Sequence, residues 1–162
     1  MKNMFFVVLY LVFSVGVANA SSIETEIKEF AYREYPNDAK MQRYVYKKQI
    51  SAYNYLISVR DSEVKKFASR EYPYDYAMQK YTYDKQLSAK QYMSTVGDAE
   101  VKKFSFREYT YDYAMQKYTY DKQLSAKRYM STVTNQGAKK QAERRYKYDY
   151  AMQKYTYDKL AY

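Results

Sequence analysis

The feature that most constrains this chain is a segment repeated at a fixed interval of 37 residues. Four copies stand in unbroken register, marked by Met41, Met78, Met115 and Met152, and the stretches 75–90 and 112–127 are identical. Periods of this length are typical of stacked helix pairs, in which each copy buries its apolar face against its neighbour. A recent duplication without a solenoid architecture is the alternative that the repeat alone leaves open.

The register predicts the organisation of the whole chain. A signal peptide, residues 1–20, and a short mature N-terminus, residues 21–25, precede four repeats. The repeats are a divergent copy, Glu26–Ser62, two close copies, Glu63–Ala99 and Glu100–Gln136, and a truncated copy, Gly137–Tyr162.

Local composition favours helices over strands within each repeat. The alternation Tyr81-Thr-Tyr83 suits a strand, but its surroundings are Ala, Met, Gln, Lys, Glu and Leu, which favour helices. With Gly 3 and Pro 2 in the chain, a hairpin-rich sheet is excluded. We expect a mostly α fold of tandem 37-residue repeats, each a short helix plus a longer helix. Loosely folded repeats and a largely disordered chain are the alternatives.

The second repeat predicts where these helices begin and end. Asp61 or Ser62 is expected to cap a short helix that runs to about Ser69. Pro73 would then lie in the first turn of the longer helix, Tyr74–Thr95, because proline is tolerated there. Gly97 and Asp98 close the repeat.

A helical wheel divides the longer helix into two faces. The face expected to pack as the core contains Ala77, Met78, Tyr81, Ser88, Tyr92 and Val96. The opposite face contains Tyr76, Tyr83 and Leu87, between Lys80 and Lys90. On this pattern the phenols of Tyr76 and Tyr83 are expected to face water.

The first twenty residues predict secretion. Lys2 is followed by an apolar run from Met4 to Val17 and by the small residues Ala18-Asn-Ala20, which is a signal-peptide pattern with cleavage between Ala20 and Ser21. The run is too short for a typical transmembrane helix, so no membrane anchor is expected. The protein is predicted to be extracellular after storage in secretory vesicles.

Composition argues against an enzyme, a metal site or a cofactor. The chain has no His and no Cys, which removes the usual metal ligands, the general base closest to neutral pH and any disulfide. Asp75, Asp84 and their copies lack the dense acidic loop of a calcium site. They are expected to be solvated countercharges that moderate a net charge of +10.

Each repeat places tyrosine phenols next to lysine amines. The chain contains 25 tyrosines, and the hexamer Lys80–Lys85 places two of them between two lysines. A phenol hydroxylated at its ortho position is a catechol, and an oxidised catechol is a quinone that an amine can attack. Such a chain is a substrate of an oxidase, and many weak sites per chain give a network.

Three other classes of function compete with a cross-linked material. Nucleic-acid binding suits a basic, aromatic-rich chain, but secretion and mixed charges argue against it. Membrane-active helices carry Leu, Phe or Trp faces, whereas these faces carry tyrosine. A secreted helical-repeat binding module is the serious alternative.

With Tyr, Lys and Asp interleaved in cysteine-free repeats such as Tyr74–Lys85, the mature chain resembles the vitelline protein B group of trematode eggshell precursors. The resemblance implies that tyrosines become catechols and that a phenoloxidase or tyrosinase tans the shell formed with other copies and co-secreted proteins. By position it implies hydroxylation at Tyr74, Tyr76, Tyr81, Tyr83, Tyr111, Tyr113, Tyr118, Tyr120, Tyr148, Tyr150, Tyr155 and Tyr157. The implied amine acceptors are Lys80, Lys85, Lys117, Lys122, Lys154 and Lys159. Because glycine is scarce, a tyrosine-lysine adhesive or cement protein is the alternative.

Overall fold

A computed structural model describes residues 22–161, and over this range short and long helices alternate. The helices are α1 over residues 22–34, α2 Ala39–Ser58, α3 Ser62–Glu71, α4 Tyr76–Thr95, α5 Ala99–Glu108, α6 Tyr113–Thr132, α7 Gln136–Arg145 and α8 Tyr150–Leu160. The long helices α2, α4, α6 and α8 begin 37 residues apart, as do α3, α5 and α7. The prediction of a mostly α fold of repeated helix pairs is confirmed.

Packing divides the described chain into two compact units, and the division falls inside α4, between Tyr83 and Asp84. In the second unit, α6 packs against both α5 and α8, and α7 packs against α8. None of the helices between residues 22 and 161 combines the length and apolar character that crossing a membrane requires. The predicted signal peptide and its cleavage site, Ala20 and Ser21, lie outside the described residues.

Each helix from α2 to α8 begins at a side chain that accepts a backbone N–H of its first turn. Asp61 Oδ1 accepts the N–H of Val64 at 3.1 Å, as predicted, and Asp98 and Asn135 do the same for α5 and α7. Before the long helices, Asp75 accepts the N–H of Met78 at 3.0 Å, and Asp112 and Asp149 repeat this contact. Such caps satisfy donors that have no partner within the helix.

The expected start of the second long helix is wrong by two residues. Asp75 is the capping residue, so α4 begins at Tyr76 and both Pro73 and Tyr74 lie in the preceding loop. Tyr74 has a φ of 68°, in the left-handed region that side chains with a Cβ rarely adopt. A helix cannot continue back through this residue, which explains the later start.

The predicted division of the long helix into a core face and a solvent face is wrong at several positions. Tyr83 and Met93 are buried on α4, whereas Tyr81 and Ser88 are exposed. The buried face follows helical spacing and contains both polar and apolar residues. They are Gln79, Thr82, Tyr83, Gln86, Ala89 and Met93. A wheel drawn from apolar residues alone missed this face because glutamine and threonine occupy part of it.

Buried glutamines join each long helix to the start of the next. Gln123 donates from Nε2 to Asp149 Oδ1 at 2.8 Å, and its Oε1 accepts the N–H of Ala151 at 3.1 Å. Gln86 makes the same two bonds with Asp112 and Ala114, and Gln49 makes them with Asp75 and Ala77. We call Gln49, Gln86 and Gln123 the bridging glutamines. Because the capping aspartates also receive these bonds, the expectation that they are only solvated countercharges is wrong.

Candidate functional site

One group of exposed phenols lies at a fixed position of every long helix, and we call these the outer tyrosines. They are Tyr44, Tyr81, Tyr118 and Tyr155, the sixth residue of α2, α4, α6 and α8. Their side chains are between 58% and 62% exposed. The first of them lies in the divergent repeat and was not among the predicted sites. The position is therefore exposed in all four repeats, whatever else has changed.

A second exposed group lies in the loops that lead into the long helices. These loop tyrosines are Tyr74, Tyr111 and Tyr148, which are 61%, 61% and 47% exposed. Each directly precedes the aspartate that caps the helix. Of the twelve predicted tyrosines, the three loop tyrosines and three of the outer tyrosines thus have rings that solvent reaches freely.

The predicted exposure of Tyr83 and its counterparts is wrong. Tyr83, Tyr120 and Tyr157 are at most 7% exposed, and we call them the core tyrosines. Tyr120 packs with Met93 and Val101, and its hydroxyl accepts the N–H of Asp98 at 3.2 Å. Tyr157 repeats this role at Asn135. Burial and a hydrogen bond to the start of the short helix make these phenols structural.

The tyrosines that open the long helices are also largely withdrawn from solvent. Tyr113 is buried, whereas Tyr76 and Tyr150 are half-buried and donate from their hydroxyls to Glu26 and Glu100 at 2.8 Å and 2.6 Å. Burial and these carboxylate hydrogen bonds raise the pKa of both phenols. Their hydroxyls therefore stay protonated donors at neutral pH.

The predicted lysines divide in the same way as the tyrosines. Lys85, Lys122 and Lys159, which we call the outer lysines, are exposed and follow an outer tyrosine by four residues. This spacing places both side chains on one helix face, and Lys159 Nζ lies 5.8 Å from the centre of the Tyr155 ring. Each outer tyrosine on α4, α6 and α8 therefore has an exposed amine one turn away.

The remaining predicted lysines are held across helices in contacts that the sequence analysis missed. Lys80, Lys117 and Lys154 each lie over a tyrosine of the preceding long helix, with Nζ 4.4 Å from the ring centre. Their partners are Tyr55, Tyr92 and Tyr129, and we call these three contacts the stacked pairs. A cation at this distance from a ring face is attracted by its negative potential.

One aspartate fixes both members of a stacked pair in the second unit. Asp121 accepts from Lys117 Nζ at 2.6 Å and from the Tyr92 hydroxyl at 2.6 Å. Asp158 does the same for Lys154 and Tyr129, at 2.6 Å and 2.8 Å. The lysine and its aspartate are four residues apart on one helix. The contacts of Tyr92 and Tyr129 with them join residues 25 to 29 positions apart, so they depend on helix packing and no local pattern indicates them.

The charge state of the aspartate follows from its partners. Burial by itself raises the pKa of the Asp121 carboxyl, but hydrogen bonds from Lys117 and Tyr92 outweigh it and lower that pKa overall. The hydrogen bond that Tyr92 donates to Asp121 raises the pKa of the Tyr92 phenol. The cluster is thus a carboxylate that holds one ammonium and one neutral phenol in place.

The chain matches no known protein-family model, no curated protein and no solved structure. What the described residues can do chemically therefore follows from their own geometry. They present exposed phenols beside exposed amines at the surface, and phenols stacked against amines between helices.

Proposed function

We propose that this chain is a secreted structural precursor that is cross-linked through oxidised tyrosine and lysine, with an eggshell as its setting. The observation that supports this most directly is the recurrence of an outer tyrosine with an outer lysine on α4, α6 and α8. The chain would act as the substrate of a phenoloxidase or tyrosinase, and its other partners would be further copies and co-secreted structural proteins. An adhesive or cement would use the same chemistry.

The reaction requires an oxidase and O₂. The enzyme inserts one atom of O₂ into the ring, ortho to the phenol hydroxyl. The second oxygen atom is reduced to water with electrons supplied by a catechol. A second two-electron oxidation converts the catechol to an o-quinone and again reduces oxygen to water. A neutral lysine amine then adds to a ring carbon, loses a proton and restores an aromatic catechol. Each exposed phenol on a chain is one possible branch point.

The fold predicts which tyrosines form links between chains. Replacing the outer and loop tyrosines together with the exposed Tyr32 of α1 by phenylalanine should remove most tyrosinase-induced oligomers from a denaturing gel. The eight changes are Tyr32→Phe, Tyr44→Phe, Tyr74→Phe, Tyr81→Phe, Tyr111→Phe, Tyr118→Phe, Tyr148→Phe and Tyr155→Phe. These rings are exposed, so each change should alter the free energy of unfolding by no more than about 0.5 kcal/mol.

A matched control replaces the core tyrosines, Tyr83, Tyr120 and Tyr157, by phenylalanine. This variant should still cross-link nearly as well as the original chain, provided circular dichroism shows that it remains helical. If the native chain stays soluble and monomeric after full exposure to tyrosinase, the proposed function is wrong. If the core variant alone loses its oligomers, the assignment of reactive tyrosines is wrong.

A secreted helical-repeat binding module is a second candidate, and the bridging glutamines favour it. Buried polar bridges of this kind specify a single packing of successive helices, whereas a cross-linked material tolerates loose folding. This candidate predicts cooperative thermal unfolding together with tyrosines that remain unmodified in the assembled native material. Amino-acid analysis of that material distinguishes the two candidates, because only the precursor would contain catechol in place of tyrosine.

A further inference from the structure

The stacked pairs bring an amine to a phenol more closely than any helix-surface spacing does. Lys117 Nζ and Lys154 Nζ each lie 4.4 Å from the ring centres of Tyr92 and Tyr129. The pairs join α6 to α4 and α8 to α6 within the second unit. Lys80 lies at the same 4.4 Å from Tyr55 in the first unit. An identical distance in three pairs shows that the fold sets this contact.

The amine is also held in place against the ring. Asp121 receives hydrogen bonds from both Lys117 and Tyr92, so neither side chain can turn away without losing a bond to the carboxylate. The Tyr92 side chain is 37% exposed, which leaves part of the ring open to an oxidase. The Lys117 ammonium lies over the ring, and part of the same side chain is open to solvent.

We propose that the stacked pairs are sites of covalent links within a single chain, joining Lys117 to Tyr92 and Lys154 to Tyr129. The inference rests on the proposed function, since it needs a tyrosinase and O₂ to convert the phenol to an o-quinone. A carbon–nitrogen bond then forms between lysine Nζ and a ring carbon. The lysine ammonium first gives one proton to the buffer, and the neutral amine adds. The nitrogen then loses a second proton and the ring carbon its hydrogen, while the two quinone oxygens take up two protons and the ring returns to a catechol.

Proximity favours this link over one between chains. Well-oriented groups within a molecule react as though present at effective concentrations of about 10⁵ M or more. Two separate chains cannot approach that concentration. Once formed, the link would fasten consecutive long helices together in a chain that has Cys 0 and therefore no disulfide.

Isotope mixing distinguishes a link within a chain from a link between chains. Equal amounts of full-length unlabelled and ¹⁵N-labelled protein are treated with tyrosinase at about pH 9, where more lysine is neutral. The whole reaction mixture, with monomers and oligomers together, is then digested and mapped by mass spectrometry. We expect a joined peptide pair containing Lys117 and Tyr92 that is either wholly light or wholly heavy.

Lys117→Arg provides the decisive variant, because guanidinium keeps the charge and the ion pair with Asp121 but does not add to quinones. The joined peptide should fall to background in Lys117→Arg and persist in the matched control Lys122→Arg. Circular dichroism melting confirms that both variants are folded. The pair Lys154 and Tyr129 should be unaffected by either change, which gives an internal reference.

Three results would overturn the inference. If catechol forms at Tyr118 and chains cross-link, but no adduct joins Lys117 to Tyr92, the inference is wrong and the proposed function stands. If no tyrosine is oxidised at all, both fail together. An adduct composed mainly of mixed light and heavy peptides would assign Lys117 to links between chains and would also overturn it.

Discussion

Two clusters two repeats apart occupy the same place in the 37-residue register but are built from different side chains. In the second unit, Lys127 Nζ donates to Asp98 at 2.9 Å and to Glu100 at 3.0 Å. It also lies 5.0 Å from the centre of the Tyr150 ring, whose hydroxyl donates to Glu100. The register places Tyr53 where this cluster has Lys127.

The corresponding cluster of the first unit is aromatic. The rings of Tyr53 and Tyr76 meet edge to face, with their centres 5.2 Å apart and their planes at 76°. The Tyr76 hydroxyl still donates to Glu26, as Tyr150 does to Glu100. The member in the middle has changed from an ammonium over a ring to a ring against a ring, and Glu24 stands at the register position of Asp98.

The bridging glutamines have not changed between the same two units. Gln49 and Gln123 donate to their aspartates at the same 2.8 Å and accept a backbone N–H at 3.0 Å and 3.1 Å. A buried donor or acceptor that loses its partner carries the full cost of its lost hydration. A half-exposed ammonium or ring can be exchanged because water solvates whatever is left. The repeats therefore keep buried hydrogen bonds and vary partly exposed contacts.

The largest expected effect comes from breaking a bridge. Gln123→Met keeps the side-chain volume but leaves the N–H of Ala151 without its acceptor, and should lower the free energy of unfolding by about 2 kcal/mol. Gln49→Met should cost about the same, because its bonds are the same. Urea unfolding of the full chain measures both. The exposed Gln91→Met is the control and should change stability by less than about 0.5 kcal/mol.

If Gln49→Met and Gln123→Met lower the free energy of unfolding by clearly different amounts, the bridging glutamines do not stabilise the two units in the same way. Equal losses in Gln91→Met and Gln123→Met would show that glutamine stabilises these helices through propensity alone. Either result would remove the distinction between conserved bridges and variable clusters.

The sequence predicted the helices well because the signals for them are local. The capping residue Asp61, the helix-forming composition and the 37-residue spacing all act within a few turns of chain. The faces could not be predicted in this way. Gln86 is buried because Asp112 and Ala114 of the next repeat satisfy its amide, and an apolar wheel cannot show that a polar residue will find such partners.

The same limit applied to the candidate site. Tyr81 and Tyr74 were candidates for hydroxylation and are exposed, but the helical wheel had placed Tyr81 on the core face, so its exposure was not predicted. Tyr92 was assigned to the core face and was not a candidate. Its contacts with Lys117 and Asp121 exist only once α4 and α6 are packed.

A smaller effect is expected from removing the ammonium of the second unit. Lys127→Met should lower the free energy of unfolding by no more than about 1 kcal/mol near neutral pH, since the cluster is partly exposed. A volume-matched change at the exposed Lys122, Lys122→Met, is the control. Urea unfolding at a series of pH values measures the difference.

The pH dependence of that difference has a definite sign. Burial raises the pKa of Asp98, but the Lys127 ammonium and backbone N–H groups lower it overall, below its ordinary value of 3.8. Hydrogen bonds from Tyr150 and Lys127 hold the pKa of Glu100 below 4.5. A carboxylate whose pKa is lower in the folded chain than in the unfolded chain stabilises the fold at pH values above its unfolded pKa. That stabilisation is lost as the pH falls through its folded pKa. The difference between native chain and Lys127→Met should therefore persist to about pH 4.5 and shrink below it.

The smallest effect should come from Tyr53→Lys, which gives the first unit the side chain of the second. The new ammonium would face Glu26 and the ring of Tyr76, in the register where Lys127 faces Glu100 and Tyr150. An ion pair replaces an aromatic contact, so the free energy of unfolding should change by less than about 0.5 kcal/mol.

The salt dependence of the free energy of unfolding tests the Tyr53→Lys exchange even where the stability itself is unchanged. Partly exposed ion pairs are screened as ionic strength rises, whereas the edge-to-face contact of Tyr53 and Tyr76 is not. The variant Tyr53→Lys should thus lose more stability than the native chain between low and high salt, and Lys127→Met should lose less. If Tyr53→Lys responds to salt as the native chain does, the first-unit cluster cannot accept a cation. The exchange of Lys127 for Tyr53 would then reflect a difference in backbone packing and not a tolerance for partly exposed contacts.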